Sequence, residues 1–217
     1  MVDRTFRAAL FDLDGVVFDT EPVYTEIWRE ICQRYRPDIP RLEHIIKGKT
    51  MDEILSTYFP SENGTHETIR EWVAREEKSI PYYYIKGVEE FVEYLRNHHV
   101  KTAIVTSSNR EKMGNVYVQH PELHSLFDAI LTSEDFSAGK PSPDCYQRGA
   151  AVLGFTPEEC VVFEDSFNGL KSGRDAGAFV IGLSTTNSPE EIAPLADRVI
   201  PDFHLSERDK ALIFSLF

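Results

Sequence analysis

The sequence predicts an α/β fold, a doubly wound (Rossmann-like) parallel sheet core with an inserted all-helical cap domain. Two observations predict it. Short apolar runs alternate with amphipathic helical patterns over most of the chain, which is typical of a parallel sheet with helices on both faces. One long stretch after the first run contains helical patterns and no convincing strand. We therefore expect residues 1–19 and 85–217 to form the core and residues 20–84 to form the cap.

Five apolar runs have the length and composition expected of buried strands. The first leads into an acidic turn, and two others end in polar clusters. Because ligands of such folds bind outside the carboxyl ends of the strands, we expect the functional site at that edge of the sheet. The runs cover residues 6–13, 102–106, 128–131, 160–164 and 179–183.

Three helices are predicted within the cap. Apolar and aromatic side chains recur every four residues over residues 23–35, and two prolines follow. Thr50 and Glu53 have the spacing of a capping box, which predicts a helix that begins there and runs to residue 58. A third helix is predicted over residues 65–80. The chain passes between core and cap at two candidate hinges, residues 16–20 and 82–87.

Three further helices are predicted in the core. Apolar side chains over residues 88–95 follow the i, i+3, i+4, i+7 spacing of a half-buried helix. Ser142 and Pro143 predict a helix start, with serine as the N-cap and proline at the first helical position. Residues 168–177 predict a helix that ends at Gly177.

Composition fits a folded protein of one or two domains. Of 217 residues, 41% are hydrophobic and 12% aromatic, which is enough apolar material for a core and excludes a disordered chain. No apolar run approaches the roughly 18 residues of a membrane span, and the first residues lack the apolar centre of a signal peptide. We therefore expect a cytoplasmic protein.

Net charge limits the binding partners that we expect, and cysteine content indicates whether disulfides or a thiolate metal site are present. The 23 Lys and Arg against 36 Asp and Glu give a net charge of −13, which repels nucleic acid and anionic membranes, so we expect neither as a partner. A phosphate site must therefore supply its own local cations. Cys32, Cys145 and Cys160 are odd in number and widely spaced, which favours free thiols over disulfides or a metal site. We expect a monomer.

Two acidic clusters follow predicted strands. Asp12 and Asp14 lie where the first predicted strand ends, and Glu164 and Asp165 lie at the end of the strand at 160–164. One carboxylate of such a pair can attack phosphorus while the other exchanges a proton with the leaving oxygen. Asp12, Asp165 and Glu164 also suit Mg²⁺, which prefers carboxylate and phosphate oxygens. The alternative for each cluster is a solvated turn.

Two polar segments complete the set. Thr106, Ser107, Ser108 and Asn109 follow a buried strand, where hydroxyls and backbone N–H groups opening a helix can bind an anion. The alternative is an ordinary helix N-cap. Lys140 stands between glycine and proline and can neutralise a phosphate oxygen, although a surface loop lysine is the simpler reading.

In this order, the four clusters resemble the motifs of the haloacid dehalogenase-like hydrolase superfamily. The likeness is strongest to its branch of β-phosphoglucomutases and sugar-phosphate phosphatases, which carry a helical cap after the first motif. It spans almost the whole chain. The motifs are FDLDGVVFDTEP at residues 11–22, VTSSN at 105–109, GKPSPD at 139–144 and VFEDSFNG at 162–169.

The resemblance implies a role for each cluster. Asp12 would be the nucleophile that forms an aspartyl-phosphate, and Asp14 the acid and base. Thr106 would bind the transferring phosphoryl group and Lys140 would stabilise its charge. Mg²⁺ would be held by Asp12, the backbone carbonyl of Asp14 and Asp165, with Glu164 near or within its coordination sphere. The predicted substrate-binding residues are Ser107, Ser108, Asn109, Lys47, Gly48 and Lys49.

The resemblance also separates possible activities. Haloacid dehalogenases and phosphonate hydrolases of the superfamily depart from the pattern at Asp14, which favours phosphate esters. The β-phosphoglucomutase pattern has a cap histidine where this chain has Tyr24, and a phosphate-binding arginine where it has Met51. Lys49 could substitute only from a different angle. We therefore expect a Mg²⁺-dependent phosphatase of a small phosphorylated metabolite, with β-phosphoglucomutase as the alternative and a catalytically dead phosphate-binding module as the less favoured one.

Overall fold

The computed structural model describes residues 6–217, apart from the side chains of residues 63 and 208. A six-stranded sheet forms its centre, with the strand order β3-β2-β1-β4-β5-β6 and every neighbouring pair parallel. This confirms the predicted fold class. The strands are β1 (Ala8–Phe11), β2 (Lys101–Val105), β3 (Ala129–Leu131), β4 (Cys160–Glu164), β5 (Phe179–Leu183) and β6 (Arg198–Ile200).

The order of the strands reverses between β1 and β4, which lie side by side at the centre of the sheet. Ala8 pairs with Cys160 and Phe11 with Phe163, so the two strands end at the same level. Both strands are fully buried, and their phenylalanine rings stack with centroids 4.7 Å apart. The residues that follow β1 and β4 therefore meet in one crevice at this switch point.

Seven helices are described outside the predicted cap. Asn109 and Ser166 cap two of them with their side chains, and Gly177 ends one with a left-handed φ of 93°, as predicted. These helices are α5 (Val88–Asn97), α6 (Arg110–Gln119), α7 (Leu123–Leu126), α8 (Asp144–Leu153), α9 (Phe167–Ala176), α10 (Pro189–Ile192) and α11 (Glu207–Phe214).

Residues 20–84 contain helices and no strand of the sheet. The predicted capping box is present, because Thr50 Oγ1 accepts from Glu53 N–H at 3.3 Å and Glu53 Oε2 accepts from Thr50 N–H at 3.0 Å. The helices are α1 (Glu21–Tyr35), α2 (Leu42–Ile45), α3 (Met51–Tyr58) and α4 (Thr65–Glu77). That this segment forms a separate cap domain stays a prediction.

The two predicted hinges lie beside each other. Phe18 and Tyr84 form an isolated antiparallel bridge, and Asp19 N–H donates to Tyr83 O at 2.8 Å. The chain therefore leaves and returns through a short paired segment that places α1 to α4 over the carboxyl ends of the strands.

Several element boundaries differ from the predictions. The first strand covers Ala8–Phe11 and not residues 6–13, because strand pairing ends at Phe11 and the chain bends at Leu13. The helix expected to begin at Pro143 begins at Asp144, since Ser142 N–H donates to Gly139 O and so belongs to the preceding turn. The third cap helix ends at Glu77 and not at residue 80. The elements α2, α7, α10, α11 and β6 were not predicted.

Two sequence-level expectations can be compared with the structure directly. The three cysteines are free and buried, as predicted. Among residues 6–217, no helix is both long and apolar enough to cross a membrane.

Candidate active site

A cavity of about 700 Å³ lies between the carboxyl ends of the strands and the helices α1, α3 and α4. Most of the predicted site residues line it. Lys140 and Glu164 lie behind Asp12, fully buried. The predicted residues on the cavity wall are Asp12, Asp14, Lys47, Gly48, Lys49, Thr106, Ser107, Ser108, Asn109 and Asp165.

Lys140 joins the two central strands through their acidic ends. Its Nζ lies 2.8 Å from Asp12 Oδ1 and 2.6 Å from Glu164 Oε1, and donates to Val105 O at 3.1 Å. Burial favours the neutral amine, but the carboxylates of Asp12 and Glu164 outweigh it and hold the pKa of Lys140 above its ordinary value. Lys140 is therefore a buried cation, and the alternative of a surface loop lysine is wrong.

Asp12 is the carboxylate at the floor of the cavity. It is 6% exposed and follows β1 at the point where the chain turns. Burial raises the pKa of Asp12 to about 7, against the opposing attraction of Lys140. The Lys140 contact fixes one oxygen of Asp12, which limits how the carboxylate can rotate.

Glu164 anchors Lys140 from behind. Its Oε1 accepts a hydrogen bond from Tyr146 Oη at 2.8 Å as well as the lysine contact. Its Oε2 accepts from the N–H groups of Asp165 and Ser166 at 3.0 and 3.1 Å. Because both oxygens are already engaged, Glu164 is better placed to hold Lys140 than to bind a metal directly.

Asp165 faces the cavity with an unsatisfied oxygen. Its Oδ2 accepts a hydrogen bond from Thr186 Oγ1, whereas its buried Oδ1 has no hydrogen-bond partner among residues 6–217. Burial, and then the charges of Glu21, Glu164 and Asp12, raise the pKa of Asp165 well above its ordinary value. A bound cation would stabilise the ionised form of the Asp165 carboxylate.

The acidic set fits a hard divalent cation. One oxygen each from Asp12, Glu164 and Asp165 lie within 4.8 Å of one another, and all three residues are buried. Mg²⁺ prefers oxygen ligands such as carboxylates, and Asp165 Oδ1, which has no hydrogen-bond partner among residues 6–217, is available as one. The Asp14 carboxylate points elsewhere, and its predicted contribution through the backbone carbonyl stays a prediction.

Asp14 is held by donors from several directions. Thr20 Oγ1 donates to its Oδ1 at 2.5 Å, while Ser108 Oγ and Lys112 Nζ lie 3.0 and 2.5 Å from its Oδ2. Burial alone would raise the pKa of Asp14, but Lys112 and the hydroxyl donors outweigh it and lower that pKa. Asp12 and Asp14 thus sit in opposite electrostatic environments although one residue separates them.

The hydroxyl cluster opens helix α6 beside the two aspartates. Asn109 Oδ1 accepts from Lys112 N–H at 2.9 Å, so the N-cap alternative is confirmed for this residue. Thr106 is buried, and its Oγ1 accepts from Ser108 N–H at 3.0 Å. Ser107 Oγ donates to Gly48 O at 3.0 Å. The cluster therefore joins Asp14, the start of α6 and the loop before α3.

The loop at residues 47–50 closes one side of the cavity. Asn168 Nδ2 donates to Lys47 O at 2.6 Å, and Lys47 Nζ lies 2.6 Å from Glu21 Oε2. Gly48 has a left-handed φ of 76°, and a Cβ there would collide with Ser166 Oγ. Lys47 and Lys49 both line the cavity, and Lys47 is engaged there by a carboxylate.

The structure adds residues that sequence reasoning missed. Lys112, Thr20 and Thr186 each touch a predicted site carboxylate. Lys112 lies in the first turn of α6, and helical side chains point back toward the N-terminus, so its position near the cavity could have been predicted. The polar residues after β5, which include Thr186, gave the same kind of signal as the other strand ends.

Comparisons with known proteins agree with this geometry. The family model described as haloacid dehalogenase-like hydrolase matches residues 9–183. The chain is 31% identical over 178 residues to a phosphorylated carbohydrates phosphatase from Thermotoga maritima, covering 79% of this chain and 82% of that protein. It is 28% identical over 193 residues to a beta-phosphoglucomutase from Bacillus subtilis, covering 82% and 83%.

A solved structure shows the same fold. The crystal structure of a beta-phosphoglucomutase from Clostridium difficile superposes with a TM-score of 0.77 at 21% sequence identity, over 98% of this chain and 97% of that one. The family model and the Thermotoga maritima relative confirm the resemblance stated from the sequence motifs. Relatives of this kind are phosphatases or phosphoglucomutases.

Proposed function

The chain belongs to the haloacid dehalogenase-like hydrolase family, and on this premise we propose that it is a Mg²⁺-dependent phosphatase of small phosphorylated metabolites, with sugar phosphates the favoured class. One observation carries the proposal most directly. Asp12, fixed by the buried Lys140, shares the cavity floor with the unpartnered oxygen of Asp165, while Asp14 is held nearby in a separate environment. The set offers a nucleophile, a cation site and an acid/base group.

In the proposed first step, a carboxylate oxygen of Asp12 attacks the substrate phosphorus. The new bond joins Asp12 to phosphorus, and the bond from phosphorus to the substrate alcohol oxygen breaks. Asp14 must first take up a proton, against the lowered pKa that Lys112 and the hydroxyl donors give it; it then passes this proton to the leaving oxygen, and the alcohol departs. Because Lys140 fixes Asp12 Oδ1, we assign the attack to Oδ2.

In the second step, water attacks the phosphorus of the aspartyl-phosphate. Asp14 accepts a proton from the water, the bond between Asp12 and phosphorus breaks, and inorganic phosphate leaves. The backbone and hydroxyls at the start of α6, with Thr106 foremost, would bind the phosphoryl oxygens through both steps. Lys140, 2.8 Å from Asp12 Oδ1, would offset the negative charge of the attacking carboxylate from behind.

Mg²⁺ would be held by Asp12, Asp165 and the backbone carbonyl of Asp14, with Glu164 behind them. When bound there, the ion supplies positive charge that offsets the repulsion between Asp12 and an anionic phosphoryl group. The buried, unpartnered Asp165 Oδ1 supports this assignment.

The mutase alternative requires a second phosphate contact on the opposite wall of the cavity. Met51, at the start of α3, offers neither charge nor hydrogen bond where the mutase pattern has arginine. Arg70 also lines the cavity, but it is paired with Asp52, and Lys47 is paired with Glu21. A lost charge-assisted contact of this kind is worth about 1.5–3 kcal/mol, which favours hydrolysis over transfer to a sugar phosphate.

Turnover of p-nitrophenyl phosphate and of a panel of sugar phosphates, with and without Mg²⁺, tests the proposal. Asp12→Asn should abolish turnover, and Asp19→Asn, an exposed carboxylate outside the cavity, serves as the matched control. Phosphate binding without turnover in the intact protein would contradict the proposal and favour the dead binding module.

A separate experiment decides between phosphatase and mutase. The protein is given β-glucose 1-phosphate with a trace of the 1,6-bisphosphate, and glucose 6-phosphate and free phosphate are followed together. We expect phosphate release to dominate. Isomerisation that outruns phosphate release by about tenfold, a difference of about 1.4 kcal/mol in barrier height, would make the protein a mutase.

A further inference from the structure

Lys112 is a buried cation that neither the sequence motifs nor the family comparison assigns. It lies in the first turn of α6 and is 5% exposed. Its Nζ lies 2.5 Å from Asp14 Oδ2. A lysine is rarely buried without a partner, because the charge must be compensated in the protein interior. The contact therefore indicates a specific role for Lys112 toward Asp14.

The surroundings of Lys112 come from two helices of the predicted cap. Its Nζ lies 4.1 Å from the centre of the Tyr24 ring on α1, a cation–π contact. The Tyr24 hydroxyl in turn donates to Glu77 Oε1 on α4 at 2.8 Å, and Glu77 is 8% exposed. Tyr24 is thus fixed at both ends, and its ring holds the ammonium of Lys112 against Asp14.

Asp14 is consequently oriented from three sides. Thr20, at the start of α1, engages Oδ1, while Ser108 and Lys112 engage Oδ2 from the loop before α6 and from α6 itself. Without Lys112, the Asp14 carboxylate keeps hydrogen bonds from two hydroxyl groups but loses its ion pair. Neutral donors restrain the rotation of a carboxylate less strongly than a charged partner does. The orientation of Asp14 therefore depends most on Lys112.

We propose that Lys112 is a positioning residue for Asp14, and that Tyr24 and Glu77 make this position depend on where the cap helices sit. Lys112 does not touch the reacting atoms in this role. It holds the carboxylate in the orientation from which Asp14 serves both half-reactions, and displacement of α1 removes the ring that holds Lys112. The kinetic effects expected of this role rest on the proposed function, whereas the effect on the orientation of Asp14 does not.

The kinetic test uses two substrates that differ in leaving group. An alkyl phosphate needs proton transfer from Asp14 to its poor leaving group, whereas p-nitrophenyl phosphate does not. Lys112→Met should lower kcat for the alkyl phosphate roughly 10- to 100-fold with little change in KM, since misplacement of a catalytic group by about 1 Å costs that much. With p-nitrophenyl phosphate, phosphoenzyme should form at the normal rate and accumulate, because only its hydrolysis is slowed.

Four further variants make the test more specific. Lys112→Arg, which keeps the charge, should recover much of the lost kcat. Tyr24→Phe keeps the ring and should be mild, whereas Tyr24→Leu removes it and should resemble Lys112→Met. Lys171→Met, in an exposed pair with Asp175 on α9, is the control and should behave as the intact protein. An equal loss in the rate of phosphoenzyme formation with both substrates, or no loss with either, would overturn the proposal.

A crystal structure separates this proposal from the proposed function. In Lys112→Met we expect the Asp14 carboxylate to have turned away from Ser108, whether or not any substrate is hydrolysed. An unchanged Asp14 orientation would overturn the positioning role. Absence of turnover in the intact protein would contradict the phosphatase proposal alone.

Discussion

Replacing Lys140 with methionine removes the cation on which two buried carboxylates depend. Lys140 Nζ lies 2.8 Å from Asp12 and 2.6 Å from Glu164, and the side chain has no exposed surface. Methionine keeps much of the side-chain volume, so the change is chiefly electrostatic. We expect the free energy of unfolding to fall by about 3–5 kcal/mol near neutral pH, the usual cost of removing one partner from a buried ion pair.

The loss should increase with pH. Burial already raises the pKa of Asp12 from 3.8 to about 7, so between those values the folded state binds a proton that the unfolded state has released. Stability contributed by Asp12 therefore falls as the pH rises through this window. Lys140 lowers the pKa of Asp12, so its removal raises that pKa and extends this pH window upward. Above the window, each unit of added pKa lowers the free energy of unfolding by about 1.4 kcal/mol.

Urea unfolding followed by far-UV circular dichroism, in EDTA, measures this effect at about pH 5 and about pH 8. The variant should lose more stability at the higher pH. Lys171→Met removes an exposed i,i+4 pair with Asp175 and should change stability by less than about 0.5 kcal/mol at either pH. A loss below about 1 kcal/mol for Lys140→Met, independent of pH, would refute the electrostatic account.

Three further outcomes follow from the site. Gly15 has a φ of 76° and a Cβ there would collide with the Asp165 carboxylate, so Gly15→Ala should cost about 1–3 kcal/mol in urea unfolding and reduce turnover. Ser166→Ala removes the cap of α9 and should cost about 1 kcal/mol in the same assay. Asp14→Asn should slow both formation and hydrolysis of the phosphoenzyme in rapid-quench kinetics. Its Mg²⁺ affinity by calorimetry should stay close to normal, and a loss as large as in Asp165→Asn would contradict the division of roles.

The central strands were predictable because their sequences carry little ambiguity. β4 and β5 match the predicted runs to the residue, since both are mainly apolar segments and a polar residue follows each of them. The first strand was predicted too long because Leu13 is apolar and fully buried, yet lies in the turn after β1. β6 has only two apolar residues, which follow Arg198 and do not form an apolar run, so only the sheet itself reveals that strand.

The candidate site was predictable where side chains follow strands directly. The parallel register brings the ends of β1 and β4 together, which is why Asp12 and Glu164 could be placed in one crevice from sequence. The cluster of Lys112, Tyr24 and Glu77 could not, because it depends on how α1 and α4 pack against α6. No local pattern encodes the angle between helices that are distant in the chain.

Trapping the phosphoenzyme tests the central claim most directly. The intact protein is mixed with Mg²⁺ and a turned-over phosphate ester, quenched in acid within the first turnovers, and digested for peptide mass spectrometry. The account predicts one phosphoryl group on the peptide that contains Asp12, attached to Asp12 itself, and no such species in Asp12→Asn. Turnover without this adduct, or an Asp12→Asn variant that keeps an appreciable fraction of kcat, would contradict the assignment of Asp12 as the nucleophile.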